Sequence, residues 1–194
     1  MTKEEMRQAL LESTIETIGG VGFSGATTKA IASSRKINEV YIYRIFGGKE
    51  KLFAAAFELL DGELVDAIRQ SGRLNAETED VAAELQRIFD GTWRFVLARR
   101  SRCFAYVRYY FSPYFIEYSH ESHMLAYRRI IRSMTPLFRE RADVASLLHH
   151  TLSALLDFAV RTHNGDIGDD ADTAEHVFRV LYSGLHPYLR DTQF

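Results

Sequence analysis

Residues 27–53 read TTKAIASSRKINEVYIYRIFGGKEKLF, and this stretch decides the fold. Thr27 or Thr28 provides an N-cap for a short helix that runs to about residue 34, and Asn38 provides another for a helix over about 39–45. A further helix begins at about Lys49. Two short helices joined by a turn of about four residues are typical of a helix-turn-helix unit.

The residues before this stretch predict a first helix. It runs from about Lys3 to Ile18, and its apolar side chains recur at every third or fourth position. Gly19, Gly20 and Gly22 follow closely, and we expect these glycines to end the helix.

The rest of the chain also has the apolar period of helices. Longer helices are predicted over about 49–69, 79–99, 103–111, 117–133, 144–163 and 173–188. The sequence therefore predicts an all-α protein of about nine helices. We expect a three-helix domain with the helix-turn-helix at 1–48 and a larger helical bundle at 49–194.

Charge is unevenly distributed along the chain. The net charge is −2, but residues 25–52 carry six basic side chains against two acidic ones, so this segment is +4 and the remainder is −6. A short cationic segment on an anionic chain is typical of a small module that contacts nucleic acid. A solvated helix face is the alternative interpretation of the same pattern.

Neither secretion nor membrane insertion is expected. The opening residues 1–6 are polar and acidic, and no run of about 18 apolar residues occurs. The single cysteine, Cys103, cannot form an internal disulfide, which fits a reducing cytoplasm. The histidines lack a complete set of metal ligands, and no nucleophile-base signature is present, so no metal, cofactor or enzymatic activity is expected.

The quoted stretch, together with Gly22-Phe23 before it, resembles the DNA-binding domain of the TetR family of transcriptional regulators. The resemblance rests on the glycine-aromatic pair, on Ile31-Ala32, on Tyr43-x-x-Phe46 and on Lys49-Glu50-x-Leu52. It covers about residues 6–55 in detail. In the turn between the two short helices the family usually has Ala-Gly, whereas this chain has Arg35-Lys36. A residue other than glycine at positive φ costs roughly 1 kcal/mol or more there.

The resemblance implies which residues contact DNA. A recognition helix in the major groove presents the side chains near its N-terminus to the bases, and phosphate contacts come from its surroundings. The candidates for base contacts are Glu39, Val40, Tyr41 and Arg44, and those for phosphate contacts are Thr28, Lys29, Lys36, Tyr43 and Lys49.

Aromatic residues are unusually dense between Phe104 and Tyr127. Clustered tyrosines suit a cavity wall that is apolar but still offers hydrogen bonds, although plain core packing explains any single one of them. The resemblance implies a ligand cavity among the fourth to eighth helices. The candidate lining residues are Phe89, Trp93, Tyr106, Tyr109, Tyr110, Tyr114, Tyr118, Met124 and Tyr127.

The resemblance also implies that the last two helices pair with those of a second copy. Their apolar stripes give the candidate interface residues Leu148, Leu152, Leu155, Val177, Leu181, Gly184 and Tyr188. The expected protein is a homodimeric repressor that binds a near-palindromic operator on double-stranded DNA. A small, largely apolar effector is expected to release it. Two alternatives stay open: an all-α enzyme, and a helical adaptor that has lost DNA binding.

Overall fold

A computed structural model describes residues 1–73, 75 and 77–190, and most of them are helical. Within these ranges nine α-helices follow one another, which confirms the predicted all-α fold. They are α1 (Lys3–Gly25), α2 (Thr28–Ser34), α3 (Val40–Phe46), α4 (Lys49–Ser71), α5 (Val81–Leu97), α6 (Arg100–Tyr110), α7 (His120–Met134), α8 (Val144–Asn164) and α9 (Ala171–Leu185). A π-helical turn at Phe115–Ser119 precedes α7.

Short polar side chains fix the starts of the helices. Thr27 Oγ1 accepts a hydrogen bond from the Ala30 N–H at 3.0 Å, which makes Thr27 the N-cap of α2. Asn38 Oδ1 accepts one from the Val40 N–H at 3.0 Å, and α3 begins at Val40, one residue later than predicted.

The predicted end of the first helix is wrong. Gly19 and Gly20 stay helical, and α1 continues to Gly25 with a kink at Gly22, where φ is 75°. Arg108 Nη1 donates to the carbonyls of Ile18 and Gly19 at 2.5 and 2.8 Å, so carbonyls near the kink gain a partner from α6. Gly19 is also required for packing, since a Cβ there would collide with the Ser101 carbonyl.

One compact unit comprises Met1–Glu63 and Arg99–Leu125. Its core includes Leu10, Ile15, Ile31, Ile42 and Phe57, each at most 1% exposed. Arg102 of α6 forms ion pairs with Glu12 at 2.9 Å and with Glu63 at 3.1 Å, so one guanidinium joins α1, α4 and α6.

A second compact unit comprises Leu64–Ala98 and the chain from Ala126 onward. Its core is formed by the end of α7 with α5, α8 and α9, and it includes Phe138, Val144 and Leu185. These two units describe packing and not function. The functional domains predicted at 1–48 and 49–194 stay a prediction. No helix in the described ranges combines the length and the apolar character needed to cross a lipid bilayer.

Candidate functional site

Hydrogen bonds hold α2 against α1. Ser13 of α1 is 1% exposed, and its hydroxyl donates to the Ile31 carbonyl at 2.8 Å and lies 2.6 Å from the Ser34 hydroxyl. Ile31 is fully buried beneath this contact. A buried hydroxyl needs such partners, so the position of α2 on α1 is specified by polar contacts as well as by apolar packing.

Helix α3 buries one face and exposes the other. Ile42 is fully buried, whereas Val40 is 46% exposed and Tyr43 is 57% exposed. Glu39 and Arg44 are also exposed, and Tyr41 is half-buried. The Arg44 guanidinium lies over the Tyr41 ring, 5.7 Å from its centroid, which favours one orientation of the arginine. The candidates for base contacts are therefore carried on a short helix with a buried anchor.

The six basic residues of the cationic segment have different surroundings. Arg35 pairs with Glu16 of α1 at 2.7 Å, so its charge is balanced within the chain. Lys29 and Lys36 are exposed. Lys49 is half-buried, and its ammonium group lies 5.2 Å from the centre of the Phe53 ring. Lys29 and Lys36, both predicted to contact phosphates, are therefore exposed, as are Arg44 and Lys51.

A side-chain bond links the starts of the two short helices. The Thr28 hydroxyl donates to Glu39 Oε2 at 3.3 Å. Both residues were predicted to contact DNA. Because the carboxylate already accepts this bond, its orientation at the start of α3 is restrained.

The turn between α2 and α3 is a Schellman motif with lysine at the position that usually holds glycine. The Lys36 N–H donates to the Ser33 carbonyl and the Ile37 N–H to the Ala32 carbonyl, both at 3.0 Å. Lys36 has φ of 55°, in the left-handed region that glycine favours. The turn keeps the hydrogen bonds of a glycine-containing cap, at a conformational cost of about 1 kcal/mol.

Two of the predicted ligand-binding tyrosines belong to the packed core of the first unit. Tyr106 and Tyr109 are 3% and 1% exposed. The Tyr106 hydroxyl donates to Asp61 Oδ1 at 2.8 Å, and the Tyr109 hydroxyl lies 2.9 Å from that of Ser119. Burial raises the pKa of Tyr109 above its ordinary value. These hydroxyls therefore have protein partners.

A buried ionisable pair lies in the same unit. His123 Nδ1 is 3.0 Å from both carboxylate oxygens of Asp61, and the two residues are 1% and 4% exposed. Tyr110 and Phe115 present the faces or edges of their rings to this histidine, with centroids 5.6 and 5.3 Å away. The pair joins α4 to α7 within an aromatic shell.

The remaining ligand candidates are dispersed. Tyr114 packs against Phe53, with ring centroids 5.7 Å apart, and Tyr118 is 38% exposed. Met124 is half-buried. Trp93 lies in the second unit, where it is 5% exposed and stacks on Phe89.

An apolar cavity of about 120 Å³ lies within the second unit. Of the predicted ligand-binding residues, the structure places Phe89 and Tyr127 in its wall and the other seven elsewhere. Aliphatic residues make up most of the lining: Ile68, Leu85, Ile88, Ile130, Ile131, Met134, Leu148, Leu152, Leu155, Leu181 and Leu185. The polar or aromatic remainder is Thr92, His149, Thr151, Phe178 and Tyr182.

Part of this wall coincides with the apolar stripes of α8 and α9. Leu148, Leu152, Leu155 and Leu181 line the cavity, although their helical stripes predicted a dimer interface. Val177, Leu155 and Leu181 are 0%, 5% and 8% exposed in the single chain and offer little surface to a partner, and the interface stays a prediction. Gly184 and Tyr188 are exposed.

Comparison with known proteins finds sequence similarity in the N-terminal part of the chain. The family described as bacterial regulatory proteins, tetR family, matches residues 10–56. The HTH-type transcriptional regulator BetI 1 of Chromohalobacter salexigens is 31% identical over 86 residues, which cover 43% of this chain and 43% of the relative. The matched stretch therefore spans less than half of that protein.

Solved structures resemble the whole chain. A TetR family transcription regulator from Marinobacter aquaeolei VT8 has a TM-score of 0.76 at 17% identity, over 93% of this chain and 95% of its own. A putative regulator of the same family from Shewanella sp. PV-4 has a TM-score of 0.75 at 17% identity, over 98% of this chain and 100% of its own. At such identities the likeness shows the fold.

Proposed function

Because residues 10–56 match the family described as bacterial regulatory proteins, tetR family, we propose that the chain is a transcriptional regulator that binds operator DNA as a homodimer and represses transcription until an effector enters the cavity of the second unit. The match over residues 10–56 and the 31% identity to BetI 1 over 86 residues support the regulatory role. The operator, the dimer, the direction of control and the effector are the parts that we propose.

The exposed face of α3 is the observation that carries the proposal of DNA binding. Val40, Tyr43 and Arg44 point outward from a helix anchored by the fully buried Ile42. An arginine in the major groove reads guanine through two hydrogen bonds, and an exposed valine can contact the thymine methyl group. Lys29 and Lys36, which precede α3 in the sequence, are exposed. Their positive charges can pair with DNA phosphates.

Two substitutions separate base reading from phosphate binding. Arg44→Ala is expected to reduce discrimination at one base pair by about 1–3 kcal/mol, and Lys49→Ala is expected to weaken binding to all sequences alike. Arg69→Ala, at an exposed position of α4, is a matched surface control. Gel-shift titrations on the operator and on scrambled duplex measure both effects. Affinity should fall steeply with added salt, and failure to retain any duplex in dilute buffer would refute the proposal.

The homodimer is supported by the outer face of α9. Val180 is 41% exposed and Tyr188 just beyond the helix is 46% exposed, and a Cβ placed on Gly184 meets no atom within 4 Å. A two-fold dimer would set its recognition helices about 34–36 Å apart, or a multiple of that distance, and would bind a near-palindromic site. Gly184→Arg should shift sedimentation toward the monomer and lower operator affinity. An unchanged dimer in this variant would exclude this face as the interface.

Release by an effector is supported by the cavity. It is enclosed mainly by aliphatic side chains of α5, α7, α8 and α9 together with Ile68 of α4. A ligand that binds better when DNA is absent must, by linkage, weaken DNA binding by the same factor. Gel shifts in the presence of cavity ligands test this relation, and an operator affinity that no cavity occupant changes would refute it.

A further inference from the structure

The wall of the cavity in the second unit offers no charge of its own to pair with that of a ligand. None of its lining residues is an aspartate, glutamate, lysine or arginine, and His149 is the lining residue that can acquire a proton. Burying an ionised group without a counter-charge costs several kcal/mol. The wall therefore disfavours carboxylates and ammonium ions, whereas an uncharged ring or chain gains from apolar burial.

The two threonines of the wall present hydrogen-bond acceptors. Thr92 Oγ1 donates its proton to the Ile88 carbonyl at 2.8 Å, and Thr151 Oγ1 donates to the Leu147 carbonyl at 2.8 Å. Each hydroxyl keeps lone pairs with which it can accept. Thr92 is 2% exposed, whereas Thr151 is half-buried, so Thr151 is the more accessible of the two residues.

The size of the cavity sets the size of its occupant. Its volume of about 120 Å³ is of the order of the roughly 150 Å³ apolar cavity that stays dry and binds benzene in another protein. A single six-membered ring with one small substituent fits this scale.

We infer that the cavity binds an uncharged, ring-sized alcohol or phenol whose hydroxyl donates a hydrogen bond to Thr151. The inference rests on the proposed function and narrows the effector to one chemical class. Burial of the apolar ring supplies the affinity. The ligand hydroxyl donates a hydrogen bond, which the Thr151 oxygen can accept.

Four probes of one shape test the class of ligand. Toluene, benzyl alcohol, benzoate and benzylammonium are titrated into the protein without DNA by isothermal calorimetry. Benzyl alcohol and toluene are expected to bind, and the two ions at least about 100-fold more weakly. Binding of either ion as tight as that of benzyl alcohol overturns the inference, as does failure of all four probes to bind.

Two isosteric variants of α8 test the role of Thr151. Thr151→Val should weaken the binding of benzyl alcohol about three- to tenfold, since one hydrogen bond is lost. The affinity for toluene should stay unchanged. Thr162→Val is the matched control, because the Thr162 hydroxyl makes the same type of bond, to the Phe158 carbonyl, and Thr162 does not line the cavity. Equal effects of the two variants on benzyl alcohol overturn the assignment of Thr151.

A bulky variant tests the location. Leu152→Trp fills the cavity and should abolish binding of toluene and benzyl alcohol, with circular dichroism and DNA binding retained as evidence of folding. Retained ligand binding in this variant overturns the assignment to this cavity. Gel shifts on the parent protein separate this inference from the proposed function. In the parent protein, DNA binding without ligand binding overturns this inference alone, and ligand binding without DNA binding overturns the proposed function.

Discussion

Lys36 provides a test of the turn that joins α2 to α3. With φ of 55°, a side chain at this position crowds the neighbouring backbone, whereas glycine does not. The left-handed conformation costs a non-glycine residue about 1–2 kcal/mol, and the additional chain entropy that glycine loses on folding offsets roughly 0.5–1 kcal/mol of that cost. Lys36→Gly is therefore expected to raise the free energy of unfolding by about 1 kcal/mol.

Lys36→Ala is the matched control. It removes the same charge and the same flexible side chain but keeps the Cβ, so it retains the conformational cost. Its free energy of unfolding is expected to stay within about 0.5 kcal/mol of the parent value, as for most exposed substitutions. The difference between the two variants isolates the backbone contribution.

Urea unfolding followed by circular dichroism measures both variants at one fixed protein concentration, since any dimer would make the midpoint depend on concentration. For a chain of this size, 1 kcal/mol corresponds to a shift of about 2–4 °C in Tm. If Lys36→Gly is no more stable than Lys36→Ala, the strain assigned to this turn does not exist. Both variants should lower the slope of log affinity against log salt by about 1 if Lys36 contacts a phosphate.

Three further substitutions or treatments test the packing. Gly19→Ala should lower stability by about 1–3 kcal/mol through its clash with α6, whereas Gly20→Ala, which has open space around its Cβ, should be neutral or stabilising in thermal unfolding. His123→Phe should cost about 3 kcal/mol in urea unfolding because it leaves the buried Asp61 without its histidine partner, and a cost below about 1 kcal/mol would contradict this. Burial raises the pKa of Cys103 to about 12, so the native thiol should react with a disulfide-exchange reagent far more slowly at about pH 8 than the same thiol in urea, and equal rates would show that the site is open.

The helices were predictable because the apolar period of three to four residues extends over long segments. Boundaries agreed closely where a cap was readable, as at Thr27. The glycines after Ile18 misled the prediction because a glycine lowers helix propensity by only about 1 kcal/mol, and tertiary packing overrides it. In this chain the close approach of α6 to Gly19 and the bonds from Arg108 supply that packing.

The partners of the side chains were less predictable. Dense tyrosines signalled buried hydroxyls, but the sequence does not show that Asp61 and Ser119 accept or share those hydrogen bonds within a packed core. Likewise, the stripes of α8 and α9 indicate which faces are apolar, but not whether a second copy or the chain itself covers them. Leu152 and Leu181 illustrate the second case, since both line an internal cavity.

The stacked pair of Phe89 and Trp93 has a practical consequence. Trp93 is the only tryptophan in the sequence, so the indole emission of the native protein comes from one position. Its ring centroid lies 5.7 Å from that of Phe89, which forms part of the cavity wall. A molecule that enters the cavity and displaces Phe89 would change the surroundings of the indole. The unlabelled protein therefore contains an intrinsic optical reporter, and a fluorometer can follow occupancy in real time.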